Sequence, residues 1–144
     1  MRNKKPFVSA AAICESVLQD KDGVVSLIRI VDRFTLRIVP LPPGEVPTLQ
    51  LRAFFGVKSG DVKGRSELSV KLRKPDGNTV QLPQKFPIVL NGEEHGANLT
   101  LTFGMPVIFG LDWLDLYWND EMLTSAPFRL VAETPDRESP AQKS

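Results

Sequence analysis

The stretch Ser66–Leu82, SELSVKLRKPDGNTVQL, decides the fold class. Leu68, Val70 and Leu72 alternate with Ser69, Lys71 and Arg73. That is the period-2 pattern of a strand with one buried face. Pro75-Asp76-Gly77 then supplies a turn. Proline presets φ at the first central position, aspartate tolerates the second, and glycine takes the positive φ that follows. Thr79, Val80 and Leu82 resume the strand pattern. Two alternating runs joined by such a turn predict an antiparallel hairpin.

The same rhythm extends in both directions. Phe7–Cys14 reads as a strand, although Ala10, Ala11 and Ala12 would also suit a short helix. Asp20-Lys21-Asp22-Gly23 is a turn. Val24–Phe34 is rich in β-branched residues and apolar on both faces. It suits a central strand, or one that changes sheets. Pro40-Leu41-Pro42-Pro43-Gly44 and Pro47 predict a stiff, extended crossover, and Leu49–Val57 another strand. Ser59-Gly60-Asp61 and Gly64 read as a mobile loop.

Phe86–Leu90 is a short apolar strand closed by the turn signal Asn91-Gly92. Asn98–Phe103 alternates cleanly, with Leu99, Leu101 and Phe103 on one side. Trp113–Trp118 alternates too, and Asn119-Asp120-Glu121 turns it into Met122–Val131. Pro127 marks that last strand as an edge or a bulge. Roughly seven to nine short strands with turns about every 8–12 residues predict an all-β, antiparallel Greek-key sandwich. The domain is expected over residues 6–132, between a flexible N-terminus at 1–5 and a disordered polar tail at 133–144, ETPDRESPAQKS.

Composition bounds the chemistry. A chain of 144 residues, 42% hydrophobic and 24% charged, suits one folded domain. No apolar run approaches the roughly 20 residues of a bilayer helix. A net charge of +1 gives no global field toward nucleic acid or anionic membrane. The only cysteine, Cys14, excludes an internal disulfide, and the only histidine, His95, excludes sites built on two histidines. A single thiol fits a reducing cytoplasm. Arg2, Lys4 and Lys5 before FVSAAAIC loosely imitate a lipoprotein signal. The short apolar run, Pro6 at its start and bulky Ile13 before Cys14 argue instead for a first strand.

Two ends of the chain resemble a known group. Cys14-Glu15, Lys21-Asp22-Gly23 and Ser26-Leu27-Ile28-Arg29-Ile30-Val31-Asp32-Arg33-Phe34 resemble the opening of a family of uncharacterised bacterial proteins. In that family an N-terminal strand pair precedes an immunoglobulin-like β-sandwich. Asn119-Asp120-Glu121 with Ala126-Pro127-Phe128-Arg129-Leu130 resembles its closing hairpin. The likeness covers most of Phe7–Val131. It implies an immunoglobulin-like sandwich of a bacterial protein, a domain of unknown function. It brings no catalytic residue, because its motifs are turns and core positions.

Nucleophilic catalysis needs a base beside its nucleophile. Cys14 belongs to the first strand and reads as a small core residue, whereas His95 lies in the acidic, glycine-flanked NGEEHG. Glu93, Glu94 and His95 could ligate one cation, and Asp20 with Asp22 could begin a calcium loop. Neither has EF-hand spacing, and acidic pairs at turn tips are commonly just solvated. Gly56–Gly64, GVKSGDVKG, lacks the GxxxxGK[ST] spacing and no helix follows it. Its Lys58, Lys63 and Arg65 remain a candidate anion-binding loop. Asn98-Leu99-Thr100 matches a glycosylation acceptor by chance, and PLPP near Pro40 reads as an inter-sheet connection.

Two features rise above this background. From Arg52 to Lys85 the bases outnumber the acids, and from Phe86 to Glu121 only acids occur. Such segments either pair across a sheet or form two patches that guide association. The second feature is WLDLYW, Trp113–Trp118. If Leu114, Leu116 and Trp118 face the core, Trp113, Asp115 and Tyr117 face outward; the opposite phase exposes two leucines. Trp and Tyr beside charge favour interfaces.

A candidate protein interface therefore comprises Trp113, Asp115, Tyr117, Lys71 and Arg73. The sequence points to a non-catalytic, cytoplasmic sandwich without cofactor or metal. It would act on protein, as a homodimer or an accessory subunit of a bacterial system, and not on nucleic acid or membrane. The alternatives are a small-molecule or nucleotide-sensing domain and an enzyme using Glu93, Glu94 or His95.

Overall fold

The hairpin read from Ser66–Leu82 is the tip of a much longer one. In the computed structural model, which describes residues 4–37 and 40–133, β4 (Thr48–Arg73) and β5 (Thr79–Pro106) pair from Thr48↔Pro106 to Arg73↔Thr79. At the tip Gly77 takes φ +92°, and its N–H donates to the Lys74 carbonyl at 3.0 Å. The Asp76 carboxylate accepts from the Asn78 N–H at 2.9 Å.

Ribbons of this length curl. Register slips flank Gly60, and Gly60 and Glu93, which pair across the ladder, both have left-handed φ, +61° and +57°. The bulges reverse the side-chain phase. Leu51, Ala53, Phe55 and Val57 point inward before the bend; Leu68, Val70 and Leu72 do so after it. A phase shift of one residue keeps the apolar face inward as the ribbon turns.

The bend divides the seven strands of the described residues into two layers. One layer holds β2 (Val25–Ile30), β1 (Phe7–Gln19) and the open end of the β4–β5 ribbon. The other holds the tip of the ribbon, then β6 (Gly110–Trp118), β7 (Glu121–Ala132) and β3 (Arg33–Leu36). Hydrogen bonding is continuous through β4, so the layers form one seven-stranded sheet folded on itself. They share one core, in which Phe55, Leu68, Leu114, Leu116, Phe128 and Leu130 are fully enclosed. Phe34 meets Phe128 edge to face at 6.2 Å. This is an all-β, immunoglobulin-like sandwich. Among the described residues all pairings are antiparallel except one: β3 runs parallel to β7.

Several local expectations change. Ser59-Gly60-Asp61 and Gly64 are strand residues, not a mobile loop, and Asn91-Gly92 ends no strand. Glycine there serves a bend within a hydrogen-bonded ladder, which leaves the same signature as a turn. Val24–Phe34 is no central strand. It changes layers, as the second reading allowed: β2 edges one layer and β3 the other, with Arg29 at φ +53° beside the break. Phe7–Cys14 is strand, and β1 continues to Gln19. The turn expected over Asn119-Asp120-Glu121 is a two-residue hairpin loop, Asn119-Asp120, with φ +46° and +73°; Glu121 already pairs with Trp118 as the first residue of β7. β3 covers only Arg129–Ala132 of β7, so Pro127 falls on an unpaired edge. The proline-rich connection crosses from β3 to β4, between layers. The termini at 1–3 and 134–144 lie outside the described residues.

Candidate functional site

The register of the second layer brings the candidate interface together. β4 and β6 align Ser69 with Tyr117, Lys71 with Asp115, and Arg73 with Trp113. Leu114, Leu116 and Trp118 pack on the core, so Trp113, Asp115 and Tyr117 take the outer face. All five candidate residues share that face.

The face is held by one tight ion pair. Arg73 donates from Nε to Asp115 Oδ2 at 2.7 Å and from Nη2 to Oδ1 at 3.0 Å. Ser125 Oγ, on β7, donates to the same Oδ1 at 2.5 Å. The Asp115 side chain is 2% exposed and the Arg73 side chain 43%. A buried carboxylate with three donors is satisfied, and the bidentate fork fixes the plane of the guanidinium. The bond to Asp115 raises the Arg73 pKa further. Arg73 also lies 5.2 Å from the Trp113 ring centre, and Lys71 Nζ 4.4 Å from that of Tyr117. Each ring thus carries a cation on one face. Trp113 and Tyr117 remain half-buried.

The acidic segment forms no single patch. Asp115 is neutralised by Arg73, Glu121 pairs with Lys5 at 2.7 Å, and Glu93 and Glu94 lie at the bend. Pairing across the sheet accounts for the middle of the segregated charge.

Sequence reasoning missed Asp112. It is fully enclosed on the inner face of β6, and neither carboxylate oxygen has a hydrogen-bond partner. Burial pushes its pKa up to about 6; Lys74 pulls it down and Asp76 adds to the rise. Phase counted back from Leu114 and Leu116 would have placed it inside.

The candidate anion loop is split by the bend. Lys58 lies opposite Gly96, while Lys63 and Arg65 follow the register slip, opposite Asn91 and Val89. Lys63 lines a polar groove of about 670 Å³ with Lys4, Asp61, Asn91 and Glu93. Its two carboxylates balance its two lysines, so the lining carries no net positive charge to draw an anion. Cys14 is buried, paired in register with Arg52 on β4. His95 is exposed on β5 near Ser59, whose hydroxyl donates to the His95 carbonyl. Six residues of β4 separate those positions, about 20 Å of strand, so Cys14 and His95 form no pair. Burial raises the Cys14 thiol pKa, with Arg52 opposing. Glu94 approaches His95 at 3.9 Å.

Among the described residues, no three His, Cys, Asp or Glu side chains cluster as a metal site. Asp20 instead caps its own turn, accepting from Asp22 N–H at 2.9 Å and Val24 N–H at 3.1 Å. No helix of the described residues is long and apolar enough to cross a membrane.

Comparison with protein-family models and with curated proteins found no match. Among solved structures the chain is similar to a CARDB domain of Pyrococcus furiosus in complex with di-metal ions, at 10% identity and TM-score 0.42, covering 92% of this chain and 100% of that one. It is similar to an immunoglobulin-like protein of Pseudomonas aeruginosa, at 12% identity and TM-score 0.38, covering 88% and 96%. It is also similar to part of the alkylpurine DNA glycosylase AlkC of Pseudomonas fluorescens, bound to DNA containing an abasic site analog. That match has 14% identity and TM-score 0.42, and covers 85% of this chain but 30% of the glycosylase. These likenesses concern fold alone.

Proposed function

We propose that this chain is a non-catalytic β-sandwich that works by binding protein through the outer face of β4, β6 and β7. One observation carries the reading. Arg73 and Ser125 satisfy the buried Asp115 carboxylate, Arg73 also holds Trp113, and Lys71 holds Tyr117, with both rings half-exposed. Preorganised Trp, Tyr and Arg on a rigid sheet lose little entropy on docking and supply most interface energy. The buried single thiol suits a cytoplasmic setting.

A test compares wild type with Tyr117→Glu, its fold checked by circular dichroism. Light scattering at high concentration reads self-association, and hydrogen exchange on a complex captured from the source cells reads the contact face. Protection of β6 and β7 that Tyr117→Glu abolishes is the expected result. A partner that leaves those strands unprotected refutes the proposal.

A further inference from the structure

The outer face of the second layer carries more positive charge than its sequence segments suggest. Alternation and register place Arg65, Lys71, Arg73, Lys85, Arg129 and Arg33 on it, against Glu67 and Asp115, while Arg37 and Glu133 pair with each other at its edge. Asp115 is consumed by Arg73. Lys71 lies opposite that carboxylate in register, yet its ammonium sits on Tyr117. Arg33 and Arg129 stand side by side in the parallel β3–β7 register, both exposed. Among the described residues none of Arg33, Arg65, Lys71, Lys85 and Arg129 forms an ion pair with a carboxylate. Like charges placed directly beside each other repel, so the face is short of anions.

Resting on the protein-binding reading above, we propose that this face docks an acidic protein segment, rich in Asp and Glu, laid across β4, β6, β7 and β3. With β5 beyond β4, these strands span about 19 Å at the spacing of a sheet, enough for several residues of extended chain. The cations are spread over β4, β5, β7 and β3, which suits carboxylates spaced along a peptide. Single-stranded nucleic acid and sugars would instead need open aromatic faces on which to stack. Here one face of each ring already carries Arg73 or Lys71. Carboxylates can pair with those cations without removing them from the rings.

Fluorescence anisotropy with labelled poly-L-glutamate tests this, with a single-stranded oligonucleotide and heparin of matched charge as competitors. Binding to polyglutamate that weakens between low and high salt is expected, since exposed charge pairs are screened. Arg33→Glu with Arg129→Glu should weaken it by about tenfold or more. Lys21→Glu, on the β1–β2 turn, should change it less than about twofold. Arg129→Gln gives a milder version should the double variant fail to fold. No binding to polyglutamate overturns the proposal, as does equal loss in Lys21→Glu or tighter binding to the oligonucleotide or heparin. A neutral partner protecting this same face would end the acidic assignment and leave the protein-binding reading standing.

Discussion

Asp112 and Asp115 lie three residues apart on β6 and face opposite sides of one layer. Both are buried, and they meet opposite fates. On the outer face Asp115 receives three donors from Arg73 and Ser125. On the inner face Asp112 has none, and its pKa rises to about 6. Burial alone therefore says little about a carboxylate in this sandwich. The outer face is a place where charge is organised; the inner face merely encloses it. That contrast makes Asp115 part of an organised cluster and Asp112 a cost to stability.

The largest expected effect comes from breaking the organised side. Arg73→Met strands the Asp115 charge with one hydroxyl donor. Loss of one partner of a fully buried pair costs about 3–5 kcal/mol. The half-exposed guanidinium brings the expectation down to about 2–3 kcal/mol. Urea unfolding measures it. Arg73→Met with Asp115→Leu should recover most of the loss, because apolar groups tolerate burial that an unpaired charge does not. A double variant as unstable as the single would show that Asp115 is not held by this pair.

The enclosed side should respond in the other direction. The folded chain holds the Asp112 proton more tightly than the unfolded chain, whose carboxyl titrates near 4. Its contribution is therefore most favourable below pH 4, declines as pH rises to about 6, and stays low above that. Two pH units at about 1.4 kcal/mol each give a decline of about 2–3 kcal/mol. Asp112→Asn keeps the shape and removes the titration. It should match wild type at pH 4 and exceed it by about 2 kcal/mol at pH 7. The difference between the two proteins cancels every other carboxylate. Parallel pH profiles would mean that Asp112 is solvated or partnered after all.

The same strand shows how far sequence could go. Alternation in WLDLYW is a strong signal for strand, but it leaves the phase open. Only the neighbours decide it, since β4 and β7 must offer Leu72 and Ala126 inward against Leu114. The candidate face was legible because Lys71 and Arg73 alternate with leucines whose burial is not in doubt. Asp112 was hidden by its company: counted with Asp115 and Asp120 it reads as surface charge, and only its parity betrays it. The long ribbon was hidden for another reason. A bulged bend at Gly60 and a true turn at Gly77 use the same residues, because both require positive φ. Two strands of 26 and 28 residues therefore look like five short ones.

Ser125 tests whether the third donor to Asp115 matters. Ser125→Ala leaves the bidentate bridge intact and removes one short hydrogen bond to a charged acceptor. A loss of about 1–2 kcal/mol is expected. No loss would place the whole burden of satisfying Asp115 on Arg73.

The smallest expected effect sharpens the contrast most. Lys71 meets no carboxylate, since its cross-strand neighbour is taken, and it rests on Tyr117 instead. An exposed contact of this kind is worth about 0.5–1 kcal/mol. Lys71→Met keeps the stem and so most of the packing, and should cost no more than that in thermal unfolding. If the acidic segment docks as inferred, the same variant should weaken polyglutamate binding severalfold. Stability and binding then separate at one residue: Arg73 builds the face, and Lys71 uses it. A Lys71→Met protein that lost as much stability as Arg73→Met would make both lysine and arginine parts of the scaffold. Any binding would then rest on Arg33, Arg65, Lys85 and Arg129 alone, away from the Trp113 and Tyr117 rings.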